Sequence, residues 1–230
     1  MPRSPTRFFG IFALAALVVA TAAAFAADGR LYPSGPPNGV AYLRFVNLAS
    51  VEVTIVSPAA KITIPTDDAH RIGEFDPVTP GVTLTGSVQL GEATKPINVT
   101  LQQNEFVTVA VTGSVDALAV TLLRETPSDF NALKSSLGLF NLDQGCGSAQ
   151  LVAGDQHLVV VSDVAPGAVG RRMVNPVDVG LAVSCGDPAQ SVPVKLGGLV
   201  AGDRYSVFVI ANGSGRQAVG QRDEQAPFRP

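Results

Sequence analysis

From residue 40 onward the chain runs in short stretches in which apolar and polar side chains tend to alternate, each closed by Gly, Pro, Asp or Asn. VAYLRFV (40–46), VEVTIV (51–56), KITI (61–64), VTLTGSVQL (82–90), INVTL (97–101), FVTVAV (106–111) and AVTLL (119–123) form a first series. LGLFN (137–141), AQLV (149–152), HLVVV (157–161), VDVGLAVS (177–184), VPVKL (192–196) and YSVFVI (205–210) form a second. A period of two sends successive side chains to opposite faces of an extended strand, and β-branched residues favour that backbone. With turn chemistry between the runs and no helical stripe, the pattern predicts an all-β chain of antiparallel β-sandwiches rather than βαβ units.

The two series repeat one another. LRFVNL (43–48) aligns with LGLFNL (137–142), which matches Asn47 to Asn141 at the end of each opening strand. FDPVTPG (75–81) aligns with VSDVAPG (161–167), and NEFVTVAV (104–111) with the strand in GDRYSVFVI (202–210). Two copies are too few for a stacked solenoid and suit two tandem sandwiches, each near the size of an independent domain. The boundaries expected are 27–124 for the first domain, 125–134 for a linker, 135–215 for the second, and a mobile tail over 216–230.

Ahead of the repeats, FFGIFALAALVVA (8–20) follows Arg3 and Arg7 and ends near the small-residue triplet Ala24-Phe25-Ala26. This is the form of a secretory signal peptide, with cleavage expected after Ala26. Removing 26 of 230 residues leaves 204, and removing two of 16 basic residues leaves 14 against 19 acids, a net charge of −5. That balance argues against nucleic acid as a partner. In an oxidising compartment the two cysteines, Cys146 and Cys185, are expected to form a disulfide, since neither has a C-x-x-C neighbour or a histidine at metal-ligand spacing.

Catalytic signatures are missing: there is no G-x-S-x-G, H-E-x-x-H, P-loop or G-x-G-x-x-G. His70 beside Asp67 and Asp68 reads as a solvated turn, and His157 as a strand-edge residue. The expectation is a non-enzyme with no cofactor and no metal. Sugar stacking would want exposed aromatic platforms. The chain has no Trp and three Tyr, and four of its 11 Phe (Phe8, Phe9, Phe12, Phe25) belong to the leader. A carbohydrate-binding module that holds a polymer is therefore the alternative reading, and a pilus-like structural sandwich a third.

Two segments exceed what a bare sandwich needs. LYPSGPPNG (31–39) is a proline-stiffened arm whose Leu31 and Tyr32 could dock on a partner. GRRMVNP (170–176) pairs Arg171 with Arg172, guanidinium groups suited to an anionic partner. Arg44 stands within a strand on the face of Tyr42 and Val46, either at solvent or at a contact surface.

These residues resemble the AlgF family of periplasmic accessory proteins of alginate O-acetylation, in which a Leu-Tyr pair, spaced prolines, a glycine and an A-[YF]-x-R-x-x-N strand occur in this order. The matching positions are Leu31, Tyr32, Pro37, Gly39, Arg44 and Asn47, and in the second copy Pro166, Arg171, Asn175 and Pro176. The resemblance implies an exported, periplasmic, non-catalytic adaptor for O-acetylation of alginate or another exopolysaccharide. Its implied partners are a membrane-bound O-acyltransferase and periplasmic acetyltransferase-like proteins, with the polysaccharide itself as a further candidate. Leu31, Tyr32, Arg44, Asn47, Arg171 and Arg172 are the expected partner-binding residues. The cysteine pair is not a hallmark of the family.

Overall fold

In a computed structural model of the chain, which describes residues 39–127, 129–187 and 190–227, sixteen strands build four four-stranded sheets. In the first half, β1 (Ala41–Asn47), β4 (Asp76–Val78), β7 (Phe106–Thr112) and β8 (Ala119–Glu125) form one sheet in the order β4-β1-β7-β8. Its companion contains β2 (Val53–Val56), β3 (Lys61–Ile64), β5 (Thr83–Leu90) and β6 (Ala93–Thr100), ordered β3-β2-β5-β6. The second half repeats this plan. β9 (Ser135–Asn141), β12 (Val169–Val174), β15 (Arg204–Asn212) and β16 (Gly215–Arg222) are ordered β12-β9-β15-β16; β10 (Ala149–Ala153), β11 (Leu158–Val164), β13 (Leu181–Ser184) and β14 (Val192–Val194) are ordered β11-β10-β13-β14.

The all-β tandem sandwich is thus observed, with one departure in each half. β1 runs parallel to β7, and β9 runs parallel to β15; the other pairs are antiparallel. These four strands are buried along nearly their whole length, as parallel pairs generally are. Their alternation feeds two different cores. Leu43, Val107, Val109 and Val111 enter the first sandwich with Val53, Ile55, Val88 and Leu101. Leu137, Leu139, Val207 and Val209 enter the second. The opposite faces meet each other: Val46, Leu48 and Ala110 from the first half pack with Phe140, Phe208 and Ile210 from the second. The described residues accordingly belong to one compact unit, two sandwiches stacked sheet against sheet.

The strand pairings also grade the repeat. Asn47 pairs with Val111 and Asn141 with Val209, so the matches 43–48 to 137–142 and 104–111 to 202–209 are structurally equivalent. The match of 75–81 to 161–167 is not, since residues 76–78 pair with β1 while residues 161–164 end β11 against β10. What those segments share is a Pro-Gly turn, in which Gly81 (φ 78°) and Gly167 (φ 75°) adopt a backbone that a Cβ would disfavour.

The last segment needs correction. Residues 215–222 are β16, paired with β15 from Tyr205↔Arg222 to Asn212↔Gly215. GRQAVGQR is too polar to announce a strand, because it lies at a sheet edge and buries chiefly Val219. Beyond it, Phe75 donates its N–H to Glu224 and accepts from Ala226, lacing the C-terminal segment to the first half. The leader and the 31–38 arm, with Leu31 and Tyr32, lie outside the described residues.

Candidate functional site

The most unusual chemistry lies between the two stacked sheets. β1 carries Arg44 and β7 carries Thr108 on the face turned away from the first core; β15 carries Ser206 opposite them. Arg44 is 1% exposed as a residue. Its Nε donates to Thr108 Oγ1 (3.0 Å), Nη1 to Asp223 Oδ1 (2.8 Å) and Nη2 to Ser206 Oγ (2.7 Å). Its flat face lies 4.1 Å from the centre of the Phe75 ring, with Phe140 and Phe208 beyond.

Thr108 and Ser206 are equivalent positions of the two repeats, and so are Arg44 and Gly138. The exchange of arginine for glycine has a steric reason. A Cβ on Gly138 would stand 2.5 Å from Nη2 of Arg171. The vacated volume admits a second guanidinium, held by both carboxylate oxygens of Glu125, by the Tyr205 carbonyl (3.1 Å) and by Ser136. Arg171 also approaches Asp223 Oδ2 at 3.6 Å. A third arginine, Arg204, stands 3.9 Å from Asp223 and stacks over Phe106 at 4.7 Å, but its Nε and Nη2 have no hydrogen-bond partner.

Three guanidinium groups therefore share two carboxylates, Glu125 and Asp223. Burial alone would raise the Asp223 carboxyl, yet Arg44, Arg171 and the Ser206 hydroxyl hold it below its ordinary value. Burial lowers Arg44, and Asp223 only partly restores it. At Arg171 burial is outweighed by Glu125 and Asp223, which leaves that group above its usual value. Arg204, desolvated and repelled by Arg171, falls to about 10. Charges withdrawn from water this far are costly unless paired, so Arg44 and Arg171 depend on the carboxylates of Asp223 and Glu125.

Two asparagines finish the opening strands. Asn47 donates from Nδ2 toward the carbonyls of Val51, Ile64 and Pro65 and accepts from the Ala49 N–H. Asn141 does the same toward Cys146 and Val164 and accepts from Asp143. Each ties β1 or β9 to the facing sheet, and each is fully buried.

The expected partner-binding residues thus divide. Arg44, Asn47 and Arg171 are spent inside the protein, which corrects the expectation that they meet a partner directly: in β12 the period of two turns Arg171 inward and Arg172 outward. Arg172 is exposed, its Nη1 donating to the Val160 carbonyl at 3.2 Å. Cys146 and Cys185 form the expected disulfide, joining the loop after β9 to the end of β13. Asp223 and Glu125, the carboxylates that complete the cluster, were missed by sequence reasoning; their only signal was acidity at a strand's end.

The histidines stay apart. His70 Nδ1 meets Asp67 Oδ1 at 2.6 Å in an exposed turn. His157 Nε2, on an exposed residue, lies 3.4 Å from Oγ of the half-buried Ser191, a long contact. Among the described residues no group of three or more His, Cys, Asp or Glu is arranged to hold a metal, and no helix is long and apolar enough to cross a membrane.

Comparison with known proteins gives consistent matches. The family model described as alginate O-acetyl transferase AlgF matches residues 14–206. The chain is 28% identical over 212 residues to the alginate biosynthesis protein AlgF of Pseudomonas fluorescens, covering 92% of this chain and 91% of that protein. It is 27% identical over 214 residues to the protein of the same name in Pseudomonas syringae pv. tomato, covering 92% and 90%. A solved structure of the C-terminal domain of AlgF from P. aeruginosa aligns at 29% identity and a TM-score of 0.33, covering 39% of this chain and 98% of that one.

Proposed function

The chain belongs to the AlgF family, and from that premise we propose that it acts in alginate biosynthesis as a non-catalytic periplasmic adaptor. In this reading it bridges a membrane-bound O-acyltransferase and periplasmic acetyltransferases during O-acetylation of the polymer. The curated relatives are named for alginate biosynthesis, which supports the pathway.

The joint between the sandwiches carries the adaptor reading. The strongest polar chemistry in the described residues, Arg44, Arg171, Glu125 and Asp223, is buried and consumed in fastening one sandwich to the other. A fastened pair of sandwiches presents two separate sets of edges and loops at a fixed spacing, which is what a bridge between two proteins requires. The serine–histidine contact among the described residues, His157 with Ser191, is long and shows no carboxylate on the far ring nitrogen to orient it.

A strain lacking the chain should still make its polymer but lose the acetyl esters; unchanged acetylation overturns the reading. Restoring the chain with Ser191→Ala or His157→Ala should return acetylation in full. Loss of the esters with either variant, at normal protein level, would point to catalysis instead.

A further inference from the structure

Among the described residues most of the sheet edges are closed, each in its own way. β4 and the segment after β16 are laced together through Phe75, Glu224 and Ala226, and β8 is tied to β12 by Glu125 and Arg171. β6 carries Lys95 and Pro96, β14 carries Pro193, and β3 is four residues long and opens with Lys61. Proline, lysine and short length are the usual means of refusing another strand. β11 has none of them. It is seven residues long, LVVVSDV, at the end of its sheet. Leu158 is 71% and Val159 43% exposed. Its pairing with β10 is regular at Ala153↔Leu158 and Val152↔Val159 and then shifts register twice, so bulges guard the later part of the edge and its start is the open part.

Beside this edge opens a groove of about 450 Å³, walled by Leu158, Val160, Val174, Val177, Val179 and Leu199 among others. Two basic side chains reach its rim and are already engaged there, Lys134 with the Asn175 side chain and Arg172 with the Val160 carbonyl; the carboxylates beside it are not ion-paired. Asp155 lines the groove, Asp178 stands in sequence between the lining residues Val177 and Val179, and Asp163 is the next-to-last residue of β11; none of the three forms an ion pair with another described residue. One guard is present: Arg172 reaches from β12 to occupy the Val160 carbonyl.

We propose that β11 and this groove are a docking site for an extended segment of a partner protein, added as a fifth strand beside β11. The segment carries apolar side chains at alternate positions, to fill the groove, and a lysine or arginine at its ends, to meet Asp155, Asp163 and Asp178. Main-chain hydrogen bonds supply affinity and the groove supplies selectivity. Arg172 swings away on docking and yields the Val160 carbonyl to the incoming strand. The site deepens the adaptor reading by naming a surface and a partner chemistry, and it rests on that reading only for the partner being a protein of the same pathway.

The test uses the full exported chain and a synthetic peptide of alternating valine and threonine with lysine at both ends, followed by NMR and amide hydrogen exchange. Saturable shifts with new amide protection within residues 158–164 are expected. A peptide of the same core with aspartate ends should bind at least about tenfold more weakly. Leu158→Lys, at an exposed position that leaves the fold intact, should abolish binding. Arg172→Ala should tighten it by about threefold, since a competing hydrogen bond is removed. Absence of protection in 158–164 at millimolar peptide, equal binding of the aspartate-ended peptide, or unaltered binding by Leu158→Lys overturns the site. The two proposals fail separately: a deletion strain that keeps its acetyl esters removes the adaptor reading whatever the peptide does, whereas a deletion that loses them beside a silent β11 removes only the docking site.

Discussion

Arg44 and Asp223 stand 179 residues apart in the chain and meet at 2.8 Å, their side chains 0% and 1% exposed. One leaves the first strand of the first sandwich and the other follows the last strand of the second. Their pairing closes the two ends of the described fold onto each other.

Removing the carboxylate should be far worse than removing the pair. Asp223→Ala leaves Arg44, Arg171 and Arg204 facing one another with Glu125 as their remaining carboxylate in this cluster, and is expected to cost about 3–5 kcal/mol. Arg44→Met with Asp223→Leu should recover most of that loss. Urea unfolding of the three proteins measures both, and equal losses in the single and double variants would contradict the account.

The same carboxylate sets an acid limb. Its folded pKa is held below the unfolded value of about 3.9, so its contribution is fully present above that pH and is lost as pH falls through the lower folded value. Asp76 acts in the opposite sense, because burial raises its carboxyl and protonation relieves that cost. Asp223→Asn should flatten the fall in stability below about pH 4, as followed by unfolding at a series of pH values.

Arg204 should be the dispensable arginine. Its Nε and Nη2 are unpartnered, and burial with Arg171 nearby lowers it to about 10. Arg204→Met keeps a long side chain over Phe106 and discards an ill-paired charge, so its stability should stay within about 1 kcal/mol of the parent or rise. A loss as large as that of Asp223→Ala would show that the third guanidinium is needed.

The repeat predicts matched losses at its two asparagines. Asn47→Ala strips hydrogen bonds from three backbone carbonyls and Asn141→Ala from two, all in places closed to water or nearly so. Each is expected to cost about 2–4 kcal/mol. Asn→Asp at either site should be no better, since a carboxylate cannot donate to a carbonyl. Thermal unfolding compares all four variants.

Much of the architecture was written locally. Side-chain alternation marked most of the strands, and the matched Asn47 and Asn141 announced two copies of one plan before any pairing was known. A disulfide between Cys146 and Cys185 followed from the expected export and the lack of other partners in the sequence. Three strands escaped: β4, only three residues long before the Pro-Gly turn, β12, read as a loop because Arg171 and Arg172 stand side by side, and β16, whose polar run suits a sheet edge. In β12 the local pattern was honest about solvent at Arg172 but silent about the Glu125 carboxylate that receives Arg171 on the other side.

Sequence alone therefore determined the strand class, the duplication and the turns, because these depend on near neighbours and on the period of two. Tertiary structure alone decided that Arg44, Arg171 and Asp223 are buried together, and that Arg172 remains outside at the edge of β11. A charged side chain reads as a surface residue until a second sheet covers it. Here the covering sheet, and the carboxylate that makes the burial tolerable, come from the far end of the chain.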